Sequence, residues 1–149
     1  MKLRLIVVGR GAAELATYEE RFVKRIRPFA GFEVIELPEG RAKQPEQRKQ
    51  QEAKSILDTA GKDFVLFDER GKSLSSRDVA AFLEKLPGNA AQDFVIGGAS
   101  GVHDSVRQAA GRIWSLSAMT LPHQLVRAFV VEQTYRAFSI LQGHPYHRD

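Results

Sequence analysis

Residues 3 to 8, LRLIVV, form a β-branched, apolar run around a single arginine, and the run stops at Gly9. An apolar segment this short, closed by glycine, predicts a buried strand. The spacing then changes. Leu15, Tyr18, Phe22 and Ile26 fall on one face of a helix from about Ala13 to Arg27, with Pro28 beyond it. Phe32 to Leu37 returns to a strand pattern. Gln44 to Ala60 is helical but polar until Ile56 and Leu57, and it stops at Gly61. Asp63 to Phe67 predicts a third strand. Ser75 or Ser76 then caps a helix carrying Val79, Phe82, Leu83 and Leu86, closed by Pro87-Gly88. Phe94 to Ile96 predicts a fourth strand that runs into Gly97-Gly98, and a short helix from about His103 to Ala110 leads to a fifth strand, Ile113 to Leu116. The last helix, from about His123 to Leu141, carries apolar residues on more than one face.

Strands alternating with helices predict an α/β domain: a largely parallel sheet covered by helices on both faces. With no repeat and no linker, residues 1–149 read as one domain. Sheets of this kind bind ligands in the loops beyond the strand C-termini, so those loops are where chemistry is sought.

Composition narrows the classes. No apolar run approaches the roughly 18 residues of a membrane span. The opening MKLRLIVVG has too short an apolar stretch for a signal peptide. The chain has no cysteine, which excludes disulfides and thiolate metal sites and is compatible with a reducing, cytoplasmic setting. A formal charge of +4 and a pI near 9.6 fit an anionic partner, although the same charge also serves solubility.

Several motif matches fail on their chemistry. GRGAAE, residues 9–14, begins like a dinucleotide fingerprint, but Glu14 stands where the third glycine would be and opposes a pyrophosphate. Gly71-Lys72-Ser73 resembles the end of a phosphate loop, yet the first glycine position is Leu66 and Asp68 and Glu69 repel phosphate. Gly98-Ala99-Ser100-Gly101 misses a nucleophile elbow because Val102 follows. His144 and His147 have a spacing that zinc sites use, but two imidazoles make a poor zinc site, so no metal is expected.

Three segments remain. FVIGGASG, residues 94–101, feeds a strand into glycines that let backbone approach a ligand, although any tight strand-to-helix turn also uses glycine. SLSAMTLPH, residues 115–123, places small and hydroxylated residues before a long helix, with Pro122 suited to starting it. The last six residues, HPYHRD, carry two of the four histidines, a tyrosine and an arginine. Tyr146 offers a face for stacking on a base, Arg148 a phosphate fork, and either histidine a donor.

With these segments in view, the sequence resembles the RlmH family, small SPOUT-class methyltransferases that methylate N3 of a pseudouridine in large-subunit (23S) ribosomal RNA. The matching stretches are IGGASG (96–101), WSLSAMTLPHQLVR (114–127), EQTYRAFSI (132–140) and HPYHR (144–148), with VVGR (7–10), YEERFVKRI (18–26) and VIELPEG (34–40) in the first third. The resemblance implies a C-terminal trefoil knot, which sequence rules alone would not suggest. It implies S-adenosyl-L-methionine as cofactor, held by Phe67, Gly98 and the run Ser117, Ala118, Met119, Thr120, Leu121 and Pro122. Similar proteins often have leucine at position 67, and a phenylalanine there would still pack on an adenine.

The resemblance also implies a cytoplasmic homodimer that acts on ribosomal RNA within the assembled ribosome. Its last helix would lie in the interface, and its tail would help form the target-base pocket. On this reading His147 handles the N3 proton, Tyr146 stacks, and Arg148 contacts phosphate or carbonyl. Two other readings stand beside it: a SPOUT methyltransferase for a different RNA nucleotide, and a noncatalytic ribosome-binding or assembly factor that keeps the fold.

Overall fold

The computed structural model describes all of residues 1–149. Its elements, in chain order, are β1 (Lys2–Val8), a short 3-10 turn (Ala13–Leu15), α1 (Ala16–Ile26), β2 (Gly31–Leu37), α2 (Pro45–Thr59), β3 (Val65–Ser73), α3 (Ser76–Lys85), β4 (Ala91–Ile96), α4 (Asp104–Ala109), β5 (Arg112–Ser115) and α5 (His123–Leu141). The five strands form one sheet in the order β2-β1-β4-β3-β5. Every pairing is parallel.

The sheet separates two cores, which explains why its strands read as continuous apolar runs. On one face Leu3, Leu5 and Val7 of β1 join Phe94 and Ile96 of β4 beneath α1, α3 and α5. On the other, Ile6 and Val8 join Leu66 and Val95 against Ala53 and Ile56 of α2 and Val106 of α4. Arg4 is the polar exception in β1. Asp93 lies opposite it in the ladder, and the two make a forked pair at 2.8 and 2.6 Å. Asp93 also accepts the Gly61 amide at 2.7 Å, which ties the end of α2 to the sheet.

Local signals set the helix ends. Ser75 caps α3 in a reciprocal box: its hydroxyl accepts the Asp78 amide, and the Asp78 carboxylate accepts the Ser75 amide at 2.9 Å. His103 caps α4 by accepting the Ser105 amide at Nδ1.

One expected boundary needs correction. The sequence predicts that the third strand ends at Phe67, but β3 runs to Ser73. Phe67 and Lys72 both pair with Trp114, so residues 68–71 form an excursion from an otherwise continuous ladder. The charged run Asp68-Glu69-Arg70 hides this strand because it leaves the sheet before the chain re-enters. Gly71 makes the return possible: a Cβ there would lie 2.6 Å from the backbone of Ile113.

Candidate functional site

The C-terminal ends of β3, β4 and β5 surround a cavity of about 710 Å³. That is the size range of small-molecule sites. One wall is Phe67 with the excursion Asp68, Glu69 and Arg70, and a second is the turn from Ile96 to Val102 after β4. The third is the loop after β5, continued by His123 and Val126 of α5. Of the residues implied for cofactor contact, Phe67, Gly98, Ser117, Met119, Thr120, Leu121 and Pro122 all line this one cavity. Ala118 is exposed and lies outside the lining. A smaller cavity of about 390 Å³ adjoins it behind Phe67, Ser117 and Leu121.

Each wall is braced by short-range contacts. In the loop after β5, the Ser115 hydroxyl donates to the Ser117 carbonyl at 2.8 Å, and the Ser117 hydroxyl accepts the Met119 amide at 3.0 Å. Thr120 donates to Glu69 at 3.1 Å, joining this loop to the β3 excursion. The excursion is anchored in turn by Asp68, whose nearly buried carboxylate pairs with Arg107 of α4 at 2.7 Å. In the glycine turn, the Gly101 amide donates to the Gly98 carbonyl at 3.0 Å.

Gly98 backs onto Glu52 of α2, whose Oε1 is buried and has no partner. A Cβ at Gly98 would stand 3.0 Å from that oxygen. The other Glu52 oxygen accepts the Gly40 amide at 2.8 Å, and Arg48 donates to Ser100 at 3.2 Å. So α2, which belongs to the opposite layer, supports the turn from behind.

The start of α5 is fixed by Arg127, which reaches Glu19 of α1 at 2.6 Å and Glu36 of β2 at 2.5 Å. The Arg127 hydrogen bond holds the Glu36 carboxyl below its ordinary range. Because α5 follows the loop at once, this clamp also sets where the loop leaves the cavity. The enclosure thus combines apolar surface, exposed backbone and charges of both signs, Lys49, Arg70 and Arg107 beside Asp68 and Glu69. It suits a ligand that joins a flat apolar ring to groups of both charges.

The tail lies elsewhere. None of residues 144–149 lines the cavity. The Tyr146 ring packs edge-on against Tyr135 of α5 at 5.0 Å and tilts against Phe22 of α1 at 6.0 Å. Its hydroxyl donates to Glu132 at 2.9 Å. The same buried Glu132 oxygen accepts from Arg136 at 2.9 and 2.6 Å. Arg136 also lies over the Tyr146 ring at 4.9 Å and donates to His147 Nδ1 at 3.0 Å. Asp149 joins His147 to Arg77 of α3. Arg148 is exposed. From Val126 at the cavity to Glu132 and Arg136 is six and ten residues of α5, roughly 9 and 15 Å at 1.5 Å per residue. Within one chain the two groups of expected site residues therefore stand apart.

Sequence reading missed Lys49, Asp68, Glu69, Arg107 and Val126 around the cavity, and Glu132 and Arg136 beneath the tail. For the last two a signal was present, since acid and base four apart on a helix can pair. The cavity residues on α2 and α4 gave none, because only the fold brings them near the loops.

The chain was compared with known proteins. A family model described as "Predicted SPOUT methyltransferase" matches residues 1–147. The protein named ribosomal RNA large subunit methyltransferase H of Methylocella silvestris is 43% identical, over the whole of both chains. Those of a Geobacter species and of Porphyromonas gingivalis are each 40% identical, again over the whole of both chains. Among solved structures, a tRNA (m1G37) methyltransferase from Aquifex aeolicus superposes with a TM-score of 0.60 at 16% identity, covering 100% of this chain and 76% of the other. A probable methylase family protein from Haemophilus influenzae gives 0.56 at 9% identity, covering 99% of this chain and 70% of the other. These two likenesses speak to the fold alone. Full-length identity near 40%, with the family model spanning nearly every residue, places this chain in the SPOUT methyltransferase family, among the RlmH proteins.

Proposed function

We propose that this protein transfers a methyl group from S-adenosyl-L-methionine to N3 of a pseudouridine in 23S ribosomal RNA, acting as a homodimer on the assembled ribosome in the cytoplasm. The observation that carries the reading is the convergence of Phe67, Gly98 and five residues of the 117–122 loop on a single cavity at the sheet's C-terminal edge. The names of the full-length relatives, large-subunit ribosomal RNA methyltransferases, support the substrate.

The cavity's residues fit the cofactor. Phe67, Leu116, Leu121 and Val126 give an apolar wall for an adenine, and the loop backbone offers groups for its edges. Glu69 gives negative charge for a ligand that carries a sulfonium and an ammonium group. When bound, the cofactor would supply an electrophilic methyl group. The chain's own task is to hold N3 in line with it and to accept the N3 proton. With no cysteine in the sequence, no thiolate attack on the base is available, which fits direct transfer.

A second subunit answers the separation of cavity and tail. Leu125 and Phe129, four apart on α5, are exposed together with Leu116 and Met119 of the adjoining loop. Apolar surface of this kind beside a ligand cavity fits an isologous interface. In that arrangement the tail of one subunit, with Tyr146, His147 and Arg148, completes the site that the partner's cavity begins. A trefoil knot near the C-terminus, where the loops after β4 and β5 thread, belongs to the same proposal.

The test is methyl transfer from labelled S-adenosyl-L-methionine to unmodified ribosomes, compared with free 23S RNA and bulk transfer RNA. Label on ribosomes, mapped by mass spectrometry to N3 of a pseudouridine, is the expected result. Label on transfer RNA, or on no RNA at all, overturns it.

A further inference from the structure

Arg4, Arg77, Arg107, Arg127 and Arg136 each commit their guanidinium group to a carboxylate. The cations of α1 and of its C-cap, Arg27, do not. Arg21, Lys24, Arg25 and Arg27 are all exposed, and none of them is in an ion pair. The helix has two acids. Glu19 is buried and held by Arg127, which leaves Glu20 as the one exposed acid against four cations.

These arginines are ordered without being neutralised. Arg21 lies over the Tyr18 ring at 5.8 Å, and Arg25 spans the rings of Phe22 and Tyr135 at 5.4 and 5.7 Å. A guanidinium held over a ring with no carboxylate partner keeps N–H groups free for an anion, and it loses less freedom on binding than a solvated chain. The same two rings, Phe22 and Tyr135, also pack against Tyr146. The α1 cations are therefore continuous with the tail, and exposed Arg148 stands two residues beyond Tyr146.

We infer that this face, Arg21, Lys24 and Arg25 on α1 with Arg148 of the tail, grips the sugar-phosphate backbone of the RNA strand that flanks the target nucleotide. The inference rests on the proposal that the tail faces substrate. It gives α1 the role of supplying non-sequence-specific affinity, while the tail and cavity select the base.

The experiment compares wild type, R21Q/R25Q and R21K/R25K. Binding to a fluorescent single-stranded RNA oligonucleotide is followed over a salt series, and binding to purified ribosomes by co-sedimentation. Two lost phosphate contacts lower the slope of log affinity against log salt by about 1.4 for single-stranded RNA, and weaken binding roughly tenfold or more at moderate salt. The lysine variant keeps the wild-type slope, since it keeps the charge. Cofactor titration and melting temperature stay at wild type in both, which separates lost RNA contact from lost fold.

An unchanged slope in R21Q/R25Q overturns the inference. So does a loss of ribosome binding with unchanged RNA binding, because the surface would then meet a ribosomal protein. The slope is read without any turnover. If wild type binds RNA through these arginines but methylates nothing, the functional proposal fails and this inference survives. The reverse pattern, ribosome methylation at wild-type rates and salt dependence in R21Q/R25Q, leaves that proposal intact and removes this one.

Discussion

Arg136 Nη1 sits 3.0 Å from His147 Nδ1, and this contact fixes which ring nitrogen carries the proton. A guanidinium only donates, so Nδ1 accepts and the ring hydrogen resides on Nε2, which lies 2.9 Å from the Asp149 carboxylate. For His147 to take the N3 proton at Nδ1, Arg136 has to yield its place as substrate enters. Replacing His147 with Ala leaves the cavity untouched, so cofactor affinity stays at wild type. Turnover falls by roughly 10²-fold or more, the size of a lost general base. Single-turnover methyl transfer beside calorimetric cofactor titration measures both. Wild-type turnover in this variant would remove His147 from the chemistry.

Glu132 is the hub beneath the tail. One of its oxygens accepts from Tyr146 and twice from Arg136, and the other accepts from Gln133. Glu132→Gln keeps the shape but removes the charge that three of these donors share. It costs about 1.5–3 kcal/mol, the worth of hydrogen bonds to a charged group. Urea unfolding measures that cost. Amide exchange of residues 144–149 should also quicken, and turnover should fall while cofactor affinity holds. Tail protection identical to wild type would show that the hub does not hold the tail.

The same contacts make the tail pH-sensitive at its alkaline end. Burial, and then the Glu132 carboxylate, push the Tyr146 phenol up to about 12 from an ordinary 10. A group raised on folding favours the folded state fully below its unfolded value, and that contribution is lost as pH rises through the folded value. The tail packing should therefore hold to about pH 10 and weaken between about 10 and 12. In a phenolate absorbance titration wild type shows a late step near pH 12, and Tyr146→Phe lacks it. At the acid end, Arg77 and then His147 hold Asp149 down to about 2. Its contribution is present above the unfolded value and lost as pH falls through the folded one.

The strands were legible because both faces of the sheet are buried, which turns LRLIVV into a continuous apolar run. The helix cap at Ser75 or Ser76 was legible for a local reason, since the partner of Ser75 lies three residues away. The glycine turn and the 115–123 loop could be marked from composition, and the fold brings them to one cavity. Long-range support escaped notice. Nothing near Gly98 in sequence announces Glu52, and nothing near Asp68 announces Arg107. Glu132 and Arg136, four apart on α5, gain their role only from Tyr146 and His147 lying against them.

The return of β3 after its excursion gives the sharpest test of how fold and cavity depend on each other. A side chain at Gly71 would meet the Ile113 carbonyl group and the Trp114 backbone at 2.6 to 2.7 Å, and strand backbone has no room to move aside. Gly71→Ala must therefore part β5 from the end of β3, at a cost of about 1–3 kcal/mol for overpacking. The excursion and the loop after β5 share the Thr120–Glu69 bond, so both walls shift and cofactor affinity falls with stability. Gly98→Ala is the contrast. Its nearest neighbours are side-chain atoms of Glu52 and Val8 at 3.0 Å, which need to give far less than the strand backbone at 2.6 Å from Gly71, so the fold should lose less. Melting curves and cofactor titrations of the two variants decide the matter. A Gly71→Ala protein that is as stable and as tight-binding as wild type would mean that β3 and β5 do not approach this closely.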